Sequence, residues 1–407
     1  MGGQQSFVMV LQNKKEINAL SFLFALTYMV SYMTRINYGA VIAEMGTDTG
    51  MARSQLALAL TGSFITYGLG QIVSGMCGDR FSPKKLVAYG LGATALMNAF
   101  IPLCTSSTQM LIVWSLNGFA QAFLWPPMVR LMTAQLSAQD YDRIVVRVSW
   151  GSSCGTMLIY LLSPLVISLA GWRSVFLFSA LCGIVMLAFW HRFCRDVPVA
   201  RKSAGHTQTV HNGRLLSPVM LCVMATIVLQ GMLRDGVTTW MPSYIAQTYS
   251  LSNETAILSG VILPLFGILS LQAASWLYRK KISNPLLCAA VIFGVGTVSA
   301  AVLRLLSGGN AALSVLFSAL LTGAMHGVNL MQTGMIPSFF RKYGNVATVS
   351  GVLNSCTYVG SAISTYGIAV LSETIGWNAT LLLWAAIGTA GTLLCLICVR
   401  PWKQKFL

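Results

Sequence analysis

Two arginines lie inside long apolar runs of the sequence, where a charged side chain is costly. Arg35 occurs within the segment Tyr32–Tyr38, and Arg234 follows it by 199 residues in a second apolar run. A cationic side chain at the centre of a membrane-spanning helix costs about 2.5–3.5 kcal/mol even on the lenient insertion scale. Each guanidinium offers a planar fork of donors that fits a phosphate or carboxylate group. The pair therefore predicts a binding site for a small anion.

Neighbouring acids offer another explanation for these arginines. Each arginine can extend to the membrane surface or pair with a buried acid. Asp235 directly follows Arg234, but consecutive helical residues point about 100° apart, which predicts a poor pair. For Arg35, the nearest acid in its helix is Glu44, near the predicted outer end. Asp235 is either a carboxyl group that couples binding to protons or one that tempers the charge of Arg234 in a shared aqueous cavity.

The composition shows that these arginines belong to a membrane protein. Of 407 residues, 55% are hydrophobic and 9% are charged, against about 25% charged in a soluble protein. Soluble cores stop growing near ~250–300 residues, so no soluble fold would bury this much apolar surface. Runs of the ~17–25 residues that cross a bilayer predict an all-α membrane protein with twelve transmembrane helices, near residues 18–41, 55–77, 86–104, 109–132, 147–169, 174–191, 217–245, 256–277, 285–303, 311–338, 347–371 and 378–399.

The net charge of +16 arises from 26 basic and 10 acidic residues. Most of the basic residues fall in loops on the same side as the N-terminus, and the positive-inside rule places those loops in the cytoplasm. Both termini are therefore predicted to be cytoplasmic. Orientation and attraction to anionic lipid headgroups explain the charge, so the bilayer is an expected partner and nucleic acid is not.

The longest hydrophilic stretch separates two halves of similar outline. Leu116–Gly118 matches Leu321–Gly323, and Gly171-Trp172 matches Gly376-Trp377, both at an offset of 205 residues. Duplicated halves are typical of transporters with a site near the middle of the membrane. We predict three regions: an N-terminal six-helix bundle over 1–190, a cytoplasmic central loop over 191–216 and a C-terminal six-helix bundle over 217–407.

Three stretches resemble segments of one family of carriers. Tyr32–Tyr38 is similar to that family's span 1 arginine motif, and Asn117–Pro127 to its N-G-x-x-Q-G-x-G-W-P-P segment. Arg234–Tyr244 is similar to its R-x-G-I-x-D-W-x-P-T-Y segment in span 7. The family is the organophosphate:phosphate antiporters of the major facilitator superfamily, and the resemblance extends over the whole chain in span layout. It implies the major facilitator fold of two pseudo-symmetric six-helix bundles.

The resemblance also implies an activity. It indicates a carrier of the bacterial inner membrane that exchanges a phosphate ester for inorganic phosphate by alternating access. Arg35 and Arg234, one from each half, match the arginines that hold the phosphoryl group. An empty, doubly cationic site would resist closure, which implies exchange. We expect a monomer that uses no cofactor and no metal and that is not an enzyme, because no catalytic triad, zinc or nucleotide-loop spacing occurs in the sequence.

The chain departs from the family pattern at several positions. Gln71 stands where members usually carry Lys, Cys154 where some carry His, and Thr239 where the span 7 segment has an acid. The site thereby loses a cation and gains the Asp235 carboxylate, which leaves room for a less charged anion. Two alternatives remain open: a proton-coupled symporter of a carboxylate, sulfonate or phosphonate, and a non-transporting membrane sensor on the same scaffold.

Other side chains in the spans are candidates for lining the site. Gln121 is a candidate for substrate contact. His326 occupies its repeat position and is either a hydrogen-bonding partner between helices or a group that binds substrate or protons. Aromatic residues of spans also pack or anchor at the membrane interface. The remaining candidates for substrate contact are Tyr32, Tyr38, Trp125, Asn354 and Tyr358.

A loop motif follows span 2 and precedes a cluster of basic residues. Gly75, Asp79 and Arg80 fit the pattern G-x-x-x-D-R. An ordinary solvated turn with cytoplasmic charges would also explain them. The spacing resembles the loop 2–3 motif of the major facilitator superfamily, which implies a conformational latch and not a contact with substrate.

Overall fold

The computed structural model describes residues 11–51, 53–197, 215–250 and 262–406. These residues form a helical protein, and no strand occurs among them. Most of the predicted central loop lies outside the described residues. The α-helices are α1 (Lys14–Thr49), α2 (Arg53–Arg80), α3 (Pro83–Phe100), α4 (Ser107–Gln121), α5 (Trp125–Gln135), α6 (Ala138–Ala170), α7 (Trp172–Phe193), α8 (Pro218–Tyr249), α9 (Ile262–Lys280), α10 (Pro285–Leu306), α11 (Ala311–Asn329), α12 (Val346–Thr374) and α13 (Trp377–Phe406).

The predicted all-α membrane fold is confirmed. Each of the twelve predicted spans falls on one described helix or on consecutive helical segments, although residues 256–261 of span 8 lie outside the described residues. Span 4 is divided into α4 and α5, and span 10 continues from α11 into a π-helix over Leu330–Met335 and a 3₁₀ helix over Ile336–Tyr343. Within the described ranges, nine helical segments are long and apolar enough to cross a membrane.

Two prolines cause the division of span 4. Pro126 and Pro127 occupy the first turn of α5, where a residue without an N–H is tolerated. In a continuous helix the Ala122 carbonyl would accept a hydrogen bond from residue 126, and proline has no N–H to give. Gln71 of α2 instead donates its amide to that carbonyl at 3.5 Å. The residue that replaces the family's lysine therefore satisfies a backbone acceptor that the break leaves open.

The chain divides into two compact units, each with its own helix packing. The first unit contains Met1–Gln208 and Pro337–Ser355, and the second contains Thr209–Ile336 and Cys356–Leu407. In the first unit, α1 packs on α6, α2 on α4 and α3 on α7; in the second, α10 packs on α11 and α13, and α9 packs on α11. Helix α12 begins in the first unit and ends in the second. The division at residues 191–216 stays a prediction.

Glycines allow the closest helix contacts in both units. In the first unit, a Cβ at Gly155 of α6 would strike the carbonyl oxygen of Met29 on α1. In the second, a Cβ at Gly360 of α12 would strike the carbonyl oxygen of Val228 on α8. Small residues let membrane helices pack backbone to backbone. Because Met29 and Val228 are 199 residues apart, the same offset as the two arginines, both units use one packing scheme.

The matched Gly-Trp pairs of the sequence occupy matched turns. Gly171 precedes α7 with φ +74°, and Gly376 precedes α13 with φ +97°. Both values lie in the left-handed region that glycine adopts at little cost. The next residue in each case, Trp172 or Trp377, starts a helix. The predicted internal duplication is thus visible in backbone conformation as well as in sequence.

The tryptophans of these turns make equivalent hydrogen bonds. Trp172 Nε1 donates to the Asp48 carboxylate at 2.9 Å, and Trp377 Nε1 donates to the Gln247 side chain at 2.7 Å. Each bond ties the last part of the arginine helix to the start of another helix in its own unit. Hydrogen bonds from Trp172 and from Arg173 lower the pKa of the Asp48 carboxyl, which lies beyond the apolar part of α1.

Candidate functional site

Arg35 lies against two aromatic rings within the first unit. Its guanidinium carbon is 4.2 Å from the centre of the Tyr32 ring, one turn earlier on α1, and 4.8 Å from the centre of the Tyr67 ring on α2. A cation over an aromatic face is attracted by the negative charge of the ring face. The rings orient the guanidinium and leave it positively charged, so it can still bind an anion.

The aromatic cluster extends from Arg35 to the start of α5. Tyr28 contacts the Tyr32 ring edge to face at 5.1 Å between centroids, and it contacts the Trp125 ring at 4.8 Å. Trp125 is the first residue of α5, and its position follows from the break in span 4. Two of the predicted site residues, Tyr32 and Trp125, are therefore joined to Arg35 through one connected set of rings.

A buried polar network fixes the backbone next to Arg35. The carbonyl of Thr34 accepts hydrogen bonds from the amides of Asn98 on α3 and Asn117 on α4, at 3.0 and 3.2 Å. Gln121 of α4 donates to the Thr34 hydroxyl at 2.8 Å and to the Ser31 carbonyl at 3.1 Å. Buried amides with satisfied partners make a rigid junction between membrane helices. Gln121, predicted to contact substrate, thus positions the arginine helix through the Ser31 carbonyl and the Thr34 hydroxyl.

Tyr38 lies in a hydrophobic cluster of the first unit and does not belong to the aromatic rings around Arg35. Its fully buried ring packs against Trp114 at 5.0 Å and Phe176 at 6.0 Å. Its hydroxyl contacts the Met110 sulfur at 3.7 Å. This placement does not support the predicted role of Tyr38 in substrate binding, because the whole side chain is buried among apolar groups.

Arg234 forms an ion pair with Asp235 in the second unit. Arg234 Nε and Nη2 donate to the two carboxylate oxygens at 2.7 and 2.8 Å, a bidentate pair. The expectation that adjacent helical residues pair poorly was wrong here. An arginine side chain is long enough to turn back around the helix. The attraction between the two charges is also stronger in surroundings of low dielectric constant. The arginine and aspartate side chains are 13% and 29% exposed.

Two further helices complete the surroundings of Asp235. The hydroxyl of Ser361 on α12 donates to the same carboxylate oxygen that accepts from Arg234 Nη2. His326 on α11 lies near enough to interact electrostatically with both Arg234 and Asp235. The structure therefore brings together the predicted residues Arg234, Asp235 and His326. It adds Ser361, which the sequence analysis did not identify.

The last two predicted contacts lie on α12. Tyr358 is buried one helical turn before Ser361, in the second unit. Asn354 is also buried, but it belongs to the part of α12 that groups with the first unit. Tyr67 was missed because its distance from Arg35 depends on the packing of α2 beside α1. Its only sequence signal was a single tyrosine in an apolar span.

Asp79 of the loop motif caps the start of α12 inside the first unit. Its carboxylate accepts hydrogen bonds from the backbone N–H groups of Ala347 at 3.0 Å and Thr348 at 2.7 Å. The first N–H groups of a helix have no partner within the helix, and a negative charge there is favourable. Arg130 Nη1 lies 3.3 Å from the same carboxylate. Arg80 of the predicted latch is exposed, so Arg130 supplies the paired cation.

Gly75 allows this contact because it has no side chain. A Cβ there would lie 2.6 Å from the Ala347 carbonyl oxygen and 3.0 Å from the Thr348 Cα. The hydroxyl of Thr348 also contacts the Gly75 carbonyl at 3.4 Å. The glycine and the aspartate of the motif therefore act on the same turn of α12.

Asp79→Asn is expected to lower the melting temperature in detergent by roughly 3–6 °C. The amide keeps one acceptor but loses the charge, the second acceptor and the ion pair with Arg130, a loss of about 1–3 kcal/mol. Thermal unfolding measured by scanning fluorimetry provides the test. Arg80→Gln removes an exposed charge from the same motif and should leave the transition in place. Equal melting temperatures for Asp79→Asn and wild type would contradict the capping role.

Comparison with known proteins agrees with this architecture. The model of the Major Facilitator Superfamily matches residues 24–365. Two transporters of this superfamily share the fold: the proton:xylose symporter XylE, with a TM-score of 0.70, 14% identity and coverage of 97% of this chain and 96% of that chain, and the Escherichia coli fucose:proton symporter FucP, with a TM-score of 0.72, 12% identity and coverage of 95% and 99%.

Relatives of similar length carry names from organophosphate transport. A probable hexose phosphate transport protein of Chlamydia muridarum is 22% identical over 86% of this chain and 84% of its own. The glycerol-3-phosphate transporter of Bacillus subtilis is 24% identical over 86% and 85%. The membrane sensor protein UhpC of Escherichia coli is 24% identical over 67% and 68%. With the family model matched over most of its length, the chain belongs to the major facilitator superfamily.

Proposed function

We propose that this protein is a secondary active carrier of a small phosphorylated organic anion, and that Arg35 and Arg234 bind the anionic group. The observation that carries the proposal is one arginine, largely shielded from solvent, on the first helix of each repeat at equivalent positions. Basic side chains inside membrane helices are costly and commonly mark the path or binding site of an anionic substrate. The names of the relatives, hexose phosphate and glycerol-3-phosphate transporters, indicate the chemical class of that substrate.

The two arginines suit the oxygens of a phosphoryl group. Each guanidinium donates two parallel hydrogen bonds to adjacent oxygens, which lysine does not do. The rings of Tyr32 and Tyr67 orient Arg35 for such a contact, and Arg234 already makes a bidentate contact with a carboxylate. We further propose that inorganic phosphate, bound by the same groups, is the exchanged species and that the halves alternate access to it.

A second candidate function has its own supporting observation. The Asp235 carboxylate forms an ion pair with Arg234 on the same helix. Protonation of that carboxylate would therefore release the arginine. A proton-coupled symporter of a less charged anion would use such a step. A sensor function is a third candidate because one relative is a named membrane sensor. For all three we propose the inner membrane, cytoplasmic termini and a monomer.

Uptake into proteoliposomes tests the proposal. Vesicles are loaded with phosphate or with buffer alone, with and without an inward proton gradient, and supplied with radiolabelled glycerol 3-phosphate or a hexose phosphate. We expect internal phosphate to accelerate uptake several-fold. Acceleration by the proton gradient alone would show that the carrier is a symporter and not an exchanger. Binding of these esters without uptake under any condition would favour the sensor, and absence of both binding and uptake would exclude these esters as substrates.

A further inference from the structure

The partner of Arg234 offers the same pair of adjacent oxygens as the anion that the arginine is proposed to bind. The Asp235 carboxylate presents two oxygens to Nε and Nη2 of the guanidinium at 2.7 and 2.8 Å. A phosphoryl or carboxylate group of a substrate would use the same two donors. Asp235 and an external anion therefore compete for one set of hydrogen bonds.

Ser361 gives the aspartate a second partner. Its hydroxyl donates to Asp235 Oδ2, while its own helix position is fixed by the close contact of Gly360 with α8. When Arg234 turns to another anion, this hydroxyl still satisfies part of the carboxylate. Among the residues that the structure describes, the charged and titratable groups that act on Asp235 are Arg234 on its own helix and His326 on α11.

We propose that Asp235 is a tethered counter-anion, which pairs with Arg234 when no substrate is bound and keeps only the Ser361 hydroxyl when the substrate anion takes its place on Arg234. This inference rests on the proposed function and specifies how its empty state behaves. No covalent bond changes in this step; one ion pair replaces another.

The tethered anion has two consequences for transport. First, it competes with the substrate: if the self-paired state is populated about 90% of the time, apparent anion affinity falls about tenfold. Second, it neutralises Arg234 in the empty carrier. A buried unpaired charge is costly, so an empty site with its own counter-anion can change conformation, and net uptake without internal phosphate becomes feasible.

Asp235→Asn separates these consequences. The amide is nearly the same size as the carboxylate but carries no charge. Using inorganic phosphate as the probe, we expect about tenfold tighter equilibrium binding to the purified variant. In proteoliposomes, we expect the ratio of net uptake into phosphate-free vesicles to exchange in phosphate-loaded vesicles to fall at least tenfold. Wild-type values for both quantities would overturn the proposal.

Ser361→Ala provides a variant that keeps both charges. The hydroxyl also donates to the carboxylate in the paired state, but a carboxylate that has lost Arg234 gains more from this bond than one that is already paired. Removing the hydroxyl therefore disfavours the displaced state more, and the carboxylate returns more readily to Arg234. We therefore expect phosphate binding to weaken by roughly threefold, a change opposite in sign to that of Asp235→Asn. Tighter binding in both variants would overturn the proposed role of Ser361. Because Ser361→Ala retains the ion pair, it remains informative if Asp235→Asn does not fold.

Glu44→Gln is the matched control, since it removes an exposed acid from the arginine helix of the other unit. It should change neither phosphate binding nor the flux ratio. The failure of this inference is distinct from the failure of the proposed function. If the wild type binds neither phosphate nor the two esters, the proposed function fails, and this inference fails with it. If the wild type binds and exchanges them but Asp235→Asn matches it, only the tethered counter-anion is wrong.

Discussion

Arg35→Lys and Arg234→Lys are each expected to reduce phosphate exchange about 10- to 100-fold while the protein stays folded. Lysine keeps the positive charge but loses the planar fork that donates to two oxygens at once. Losing one charge-assisted hydrogen bond costs about 1.5–3 kcal/mol, and every 1.4 kcal/mol is about a tenfold change. At position 35 the ammonium also loses the broad contact with the rings of Tyr32 and Tyr67.

Exchange of radiolabelled phosphate in proteoliposomes measures this loss, and size-exclusion chromatography verifies folding. Arg304→Lys is the control, because it makes the same change at an exposed position near the end of α10 and should leave exchange unaltered. A lysine variant at 35 or 234 with wild-type turnover would remove that arginine from the binding site. Turnover retained in both would remove the basis of the proposed function.

Gly360→Val is expected to prevent assembly of the second unit or to destabilise it by more than about 3 kcal/mol. A Cβ at this position would strike the Val228 carbonyl oxygen and lie 2.9 Å from the Met232 backbone nitrogen. Both are backbone atoms of α8, so no side chain can rotate away, and overpacking is relieved only by separating the helices. The same shift would move Ser361 away from Asp235.

Gly367→Val is the matched control on the same helix. A Cβ at Gly367 has no atom within 4 Å, so valine there should be accommodated. Fluorescence-detected size exclusion and thermal unfolding in detergent compare the two variants. We expect a well-folded peak for Gly367→Val and aggregated or low-melting protein for Gly360→Val. Equal stability of the two variants would show that α8 and α12 do not pack this closely.

The membrane fold was predictable because it depends on local composition. A helix satisfies its own backbone groups, so a run of apolar residues of sufficient length specifies a span without reference to any other part of the chain. The break between α4 and α5 is local in the same way, since Pro126 and Pro127 remove hydrogen bonds that a continuous helix needs. The Gly-Trp matches likewise predicted an internal duplication, which the structure shows as a repeated turn.

Contacts across helices were not predictable in the same way. The pairing of Asp79 with Arg130, and not with the neighbouring Arg80, depends on where α5 lies beside α2. The burial of Tyr38 depends on α4 and α7, which supply Trp114 and Phe176 to its cluster. A periodic apolar pattern identifies a helix but not which of its faces meets which neighbour.

The sequence by itself determined that the chain spans a membrane as two repeated halves, and that one costly arginine lies in the first helix of each half. These features depend on residue type and spacing, which any reader of the chain can count. Only the tertiary structure decided what surrounds each arginine: aromatic rings for Arg35, and the Asp235 carboxylate held by Ser361 for Arg234. The reason is that rotamers and helix packing, not sequence distance, decide which groups a long side chain reaches.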